Sequence, residues 1–122
     1  MKFYVCEHCG NIITYMKNSN VPVMCCGQKM IELVPGSTNA AQEKHVPVVT
    51  IDNNKVIVEI GLIEHPMSEE HHIEWIFIET EKGFQCVKLT YENKPRAEFK
   101  LAVGDKFIAA YEYCNLHGLW KK

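Results

Sequence analysis

The sequence predicts an all-β protein, built as a small cysteine-held module followed by an antiparallel β-sandwich. Three observations carry that prediction. Four of the six cysteines crowd into the first 26 residues. Beyond residue 45, six short runs rich in β-branched and aromatic residues recur with turn-forming residues between them. No long stretch shows helical periodicity.

Taken in order, the first segment holds Cys6, Cys9, Cys25 and Cys26 and otherwise offers only short apolar pieces such as Ile12, Ile13, Tyr15 and Val21. A segment with so little to bury needs a metal to hold it. The run VPGSTNAAQ from Val34 to Gln42 carries Pro35, Gly36, Ser37 and Asn39, a linker composition. It sets the expected boundary between residues 1–36 and 37–122. The expected strands are VPVVTI at 46–51, KVIVEIG at 55–61, IEWIFIE at 73–79, FQCVKLTY at 84–91, AEFKLA at 97–102 and KFIAAYEYC at 106–114. Asp52-Asn53-Asn54, Lys82-Gly83, Asn93-Lys94-Pro95 and Gly104-Asp105 mark the turns. Closely spaced strands with short turns suit an immunoglobulin-like sandwich. Cys86, alone in FQCVKL, is expected to pack in the core as a small apolar group.

Composition narrows the function classes. Hydrophobic content of 47% and charged content of 23% match a folded globular chain. A formal net charge of -2 gives no general reason to bind nucleic acid or an anionic membrane. No segment approaches the apolar length of a membrane span, and MKFYVCEHCG leaves no room for an export signal ahead of the first cysteine pair. The expectation is a soluble cytoplasmic protein in which cysteines serve metal or redox chemistry rather than disulfides.

Cys6-Glu-His-Cys9 is a C-x2-C knuckle, and Cys25-Cys26 follows at an interval suited to closing a loop around one ion. Four thiolates suit iron or zinc. Gly10 and Gly27 each follow a cysteine pair, where they are expected to turn the backbone and aim N–H groups at the sulfurs. The second pair is adjacent, with Cα atoms only about 3.8 Å apart, so a distorted ligation angle is expected. His8 lies inside the knuckle and is read as exposed. A second set of potential ligands comprises His45, His65, His71, Cys114 and His117, supplied by three chain segments that a sandwich can gather at one end. His72 beside His71 is an equal candidate on residue type alone, although an extended chain turns neighbours to opposite sides.

The cysteine pattern resembles the desulforedoxin-like module of desulfoferrodoxins, where the ion is iron. The strings EKHVP, HPMSEEHHIEW and CNLHG are similar to the catalytic signature of superoxide reductases. The resemblance implies one-electron reduction of superoxide to hydrogen peroxide. It implies a ferrous site with His45, His65, His71 and His117 as equatorial nitrogens and Cys114 as axial thiolate. By the same resemblance His71, not His72, is the ligand, Lys44 draws superoxide in, and Glu43 ligates the ferric state. Rubredoxin is the implied electron donor and a homodimer the implied assembly. Two other classes compete: a dismutase that also oxidises superoxide, and an electron carrier or metal store built on the N-terminal cysteines.

Overall fold

The computed structural model describes all 122 residues. The chain forms two compact units, Met1–Val34 and Pro35–Lys122.

The first unit contains five short strands: β1 (Phe3–Val5), β2 (Ile12–Thr14), β3 (Met24–Cys25), β4 (Gln28–Lys29) and β5 (Ile31–Glu32). β2, β1 and β5 form an antiparallel sheet in that order, while β3 and β4 make a separate hairpin. The loop between β3 and β4 is Cys26-Gly27, and both residues have positive φ, 53° and 73°. Two left-handed residues in a two-residue loop are the signature of a type I′ turn. The hairpin explains the adjacent cysteines: Cys25 ends a strand and Cys26 starts the turn. His8 is exposed, as read from the sequence.

The second unit opens with a one-turn helix, α1 (Gln42–His45), and continues through β6 (Pro47–Asp52), β7 (Lys55–Ile60), β8 (Ile73–Thr80), β9 (Phe84–Lys88), β10 (Arg96–Lys100), β11 (Phe107–Cys114) and β12 (Gly118–Lys121). One sheet has the order β10-β7-β6 and the other β12-β11-β8-β9, all antiparallel. Alternation decides which side chains enter. Val56, Val58 and Ile60 of β7 face Ile76 and Ile78 of β8, with Ala97, Phe99 and Ala110 filling the space between the sheets. The protein is all-β, as the sequence predicts.

Several local expectations change. β12 is a strand that the sequence did not reveal, so Cys114 closes β11 and His117 lies in the hairpin turn that leads from it into β12. β9 stops at Lys88, because Thr90 turns to donate both its N–H and its hydroxyl to Asn93 Oδ1. Cys86 is not a core residue but exposed. Gln85 and Val87 of β9, and Leu89 just beyond it, lie on the more buried side, with Val87 and Leu89 against the core, which turns Cys86 outward with Phe84 and Lys88. Part of the expected linker is fastened down: Gly36 donates to Leu119 O at 2.8 Å and the Thr38 hydroxyl donates to His117 O.

Ile76 is fully buried on β8, which has a strand on either side. Ile76→Ala is expected to destabilise the protein by about 2–5 kcal/mol, measured by urea unfolding, and a loss under about 1 kcal/mol would contradict this account of the core.

Candidate metal centres

In the first unit the four cysteine sulfurs all lie within 4.8 Å of one another. Cys9 Sγ and Cys25 Sγ are 3.6 Å apart, far beyond a disulfide bond of about 2.05 Å. Four sulfurs placed about 2.3 Å from one ion form a tetrahedron with edges of about 3.8 Å, which matches. The knuckle turns as expected at Gly10, with φ 84°. Its N–H goes elsewhere than expected, to the Cys6 carbonyl at 2.8 Å, and it is the Cys9 N–H that points at Cys6 Sγ, 3.5 Å away. That backbone contact holds the Cys6 thiol down to about 6, while contact with Cys9 raises the Cys25 thiol and pushes Cys26 up to about 12. One thiolate is favoured and further ones are resisted. A cation is what allows all four to ionise.

The second cluster is assembled at one end of the sandwich by strand register. Pro47 pairs with Ile60, Ile73 with Cys114, and Cys114 with Gly118, so α1, the β7–β8 connection and the β11–β12 turn all emerge together. The donor atoms of His45, His65, His71 and Cys114 lie within 4.8 Å of one another. His117 joins them, with Nδ1 3.9 Å from Cys114 Sγ. The four imidazoles form a closed ring of neighbours: His45 to His65 and His65 to His71 at 4.6 Å, His71 to His117 and His117 to His45 at 5.0 Å between centroids. Each neighbouring pair meets edge-on, and across the ring His45 and His71 are 6.3 Å apart. His72 is outside it, with Nδ1 donating to Ser68 O at 2.9 Å. Glu43 and Lys44 stay exposed on α1.

The surroundings fix how these rings can be used. His65 Nδ1 donates to Pro66 O at 2.7 Å. A carbonyl can only accept, so Nε2 carries the lone pair. His45 Nδ1 lies 3.3 Å from Glu112 Oε1, and with Nδ1–H as donor its Nε2 is likewise left as the ligating atom. Nε2 of His65 and of His71 are buried without a hydrogen-bond partner, a state that a cation between them would relieve. Burial holds the His45 and His65 imidazoles down to about 4 and lowers His71, with the Lys44 charge adding to the effect in each. Neutral imidazoles are what a metal requires. Burial raises the Cys114 thiol, so its ionisation too depends on a cation. The donor set therefore fits a metal ion, and imidazoles with one thiolate suit iron.

Two residues that sequence reasoning missed complete the site. Glu112 is fully buried and burial pushes its carboxyl up to about 9. It sits two residues before Cys114 on the same face of β11, and an acid at an inward strand position was the available signal. Trp120 stacks on His45 at 4.9 Å and donates Nε1–H to His117 O at 3.1 Å, so one side chain braces the ring of His45 and the backbone of His117. Asn115 closes the hairpin side: its Oδ1 accepts from His72 N at 2.9 Å and its Nδ2 donates to Glu70 O at 3.0 Å.

These shifts set the pH behaviour of the metal-free protein. His45 and His65 titrate near 4 when folded against 6.5 ordinarily, so the unfolded chain takes up protons first and stability falls as pH drops from about 6.5 towards 4. Glu112 works in the opposite sense, since the folded state keeps a proton that the unfolded chain loses above 4.5, and stability falls as pH rises towards 9. Thermal unfolding of the metal-free second unit, followed by the fluorescence of Trp75 and Trp120, which both lie in it, is expected to peak between about pH 6 and 7. Glu112→Gln should remove the alkaline decline below pH 9, and a midpoint that stays level down to pH 4 would contradict the histidine assignment.

The sequence profile described as Desulfoferrodoxin matches residues 37–122. A desulfoferrodoxin of Clostridium acetobutylicum is 38% identical over 121 residues, covering 99% of this chain and 94% of that protein. A superoxide reductase of Thermococcus kodakarensis is 38% identical over 96 residues, covering 65% of this chain and 84% of its own length. The crystal structure of the superoxide reductase from Treponema pallidum superposes with a TM-score of 0.83 at 33% identity, covering 99% of this chain and 97% of that one. Matched along nearly its whole length, and carrying both clusters, the chain belongs to the desulfoferrodoxin family.

Proposed function

We propose that the protein is a superoxide reductase: superoxide, one electron and two protons become hydrogen peroxide at an iron site formed by His45, His65, His71, His117 and Cys114. The observation that carries this reading is the closed ring of four imidazoles beside a buried thiol, with two ligand-ready nitrogens left without partners. When bound, iron supplies the redox-active centre that delivers one electron to a small anion. Residues 1–36 would then be the desulforedoxin-like metal module, binding iron (or zinc) through Cys6, Cys9, Cys25 and Cys26, and residues 37–122 the catalytic domain.

The chain's own groups account for substrate choice. Four neutral imidazoles and one thiolate leave a divalent ion with a net formal charge of about +1, which favours an anion. Lys44 adds an exposed positive charge on α1; it draws superoxide in and organises a proton-donating water, because a local cation steers even when the whole protein is acidic. Glu43, its neighbour, supplies a carboxylate for the oxidised ion. Glu112 and Pro66 hold His45 and His65 in the tautomers that present Nε2.

Each turnover consumes an external electron, and a rubredoxin is the donor type that the family resemblance supports. A homodimer is supported by β5, an edge strand on which Ile31 is exposed. A cytoplasmic setting is supported by five of the six cysteines standing in metal-ligand clusters rather than in disulfides. No helix is long and apolar enough to cross a membrane.

Product stoichiometry tests the reading against a dismutase. The reduced protein is expected to yield one hydrogen peroxide per superoxide and no oxygen, whereas oxygen release at one molecule per two superoxides would overturn it. Lys44→Ala is expected to slow the second-order reaction roughly three- to tenfold at low ionic strength and to flatten its salt dependence; an unchanged salt profile would remove the steering role.

A further inference from the structure

Glu43 and Lys44, the two charged residues just before His45, stand on a helix too short to hold itself. α1 is one turn of four residues, with no side-chain cap at its N-terminus, and such a turn has no stability of its own in water. What fastens it is the segment after β7. Ile63 N donates to Glu43 O at 3.0 Å and Gly61 N donates to Val46 O at 3.2 Å, one bond on each side of Lys44 and His45.

That approach depends on a missing atom. Gly61 has φ +86°, and a Cβ built there would run into Ile63 O and lie 2.7 Å from Lys44 O and 2.8 Å from Lys44 C. All three are backbone atoms, which cannot rotate away as a side-chain tip can. We infer that Gly61 is a positioning residue for the reaction: its bare Cα lets the turn after β7 close on the backbone of Glu43 and Lys44, and so fixes where those two side chains stand beside the site. This rests on the superoxide-reducing reading given above.

His45 is anchored separately, by Glu112 at Nδ1 and by Trp120 against its ring. His65 shares the turn after β7 through its N–H, which donates to Ile60 O at 3.3 Å, but its ring is held by Pro66 O beyond that turn. A side chain at position 61 should therefore displace Glu43 and Lys44 while leaving the ring of imidazoles able to bind its ion. Gly104 supplies the control. It has nearly the same φ, +83°, but its Cβ would meet only the flexible Lys82 Nζ, at 3.3 Å. A substitution there imposes the backbone strain without the close approach.

The test compares full-length, iron-loaded Gly61→Ala, Gly61→Asn and Gly104→Ala. Asn tolerates positive φ better than Ala but still carries a Cβ, so the two position-61 variants separate strain from contact. Both are expected to keep iron at the imidazole site, to react with superoxide at the reduced rate and flattened salt dependence of Lys44→Ala, and to exchange the backbone amides of 43–46 and 63 at least tenfold faster. Gly104→Ala should match the wild type in all three. Wild-type rates and salt dependence in Gly61→Ala, recovery of them in Gly61→Asn, or the same defects in Gly104→Ala would overturn the inference. So would rapid exchange of the Ile63 amide in the wild-type protein, a readout that needs no variant to fold. Failure of the wild type to reduce superoxide would instead overturn the underlying reading, and the exchange measurement would still decide the role of Gly61.

Discussion

Buried nitrogen lone pairs without partners are the constraint on which this structure turns. Nε2 of His65 and of His71 are removed from water and meet no donor, and each such group costs free energy on the order of 1–3 kcal/mol. A hydrophobic end to the sandwich would have avoided the cost. The chain accepts it, and places a thiol that resists ionising next to those nitrogens. Both features become favourable at once when a cation occupies the space between them. The site is thus built to be completed.

Everything that holds this arrangement is ordinary β-sheet physics. Register brings Cys114 opposite both Ile73 and Gly118, so the thiol is fixed by two ladders rather than by a loop. The imidazoles come from less regular segments: the His45 ring is held by Glu112 and Trp120 and the His65 ring by the carbonyl of Pro66, while His71 is tied through its backbone N–H to the Ser68 hydroxyl and His117 through its carbonyl to Thr38 and Trp120. The Nδ1 contacts of His45 and His65 orient those rings and choose their tautomers before any ion arrives. The N-terminal cysteines follow a different logic. Their unit has few buried side chains and short strands, and the four sulfurs themselves are its organising element.

Much of this was legible in the sequence, for reasons that differ by residue. β7 and β10 were readable because one face meets the core and the other water, so VIVEI and AEFK alternate. The adjacent cysteines and the three histidine-bearing strings marked both clusters through their spacing. What escaped notice depends on tertiary context. β12 is four residues long and exists as a strand because it pairs with β11. α1 forms only where the turn after β7 receives it. Cys86 looked like a core residue because its type favours burial, and only the phase of β9 turns it outward. Glu112 reads as a surface acid until Cys114, two positions along, fixes the face on which both lie.

The four imidazoles and Cys114 form a cluster within the second unit, apart from the N-terminal cysteines in the first, and on the proposed reading hold one redox-active iron by themselves. Metal analysis of a variant with Cys6, Cys9, Cys25 and Cys26 all replaced by serine, followed by anaerobic titration of its reduced form with superoxide, tests it most directly. One iron per chain, oxidised by one equivalent of superoxide, is the result expected. Absence of iron from that variant, or iron that superoxide does not oxidise, would contradict it.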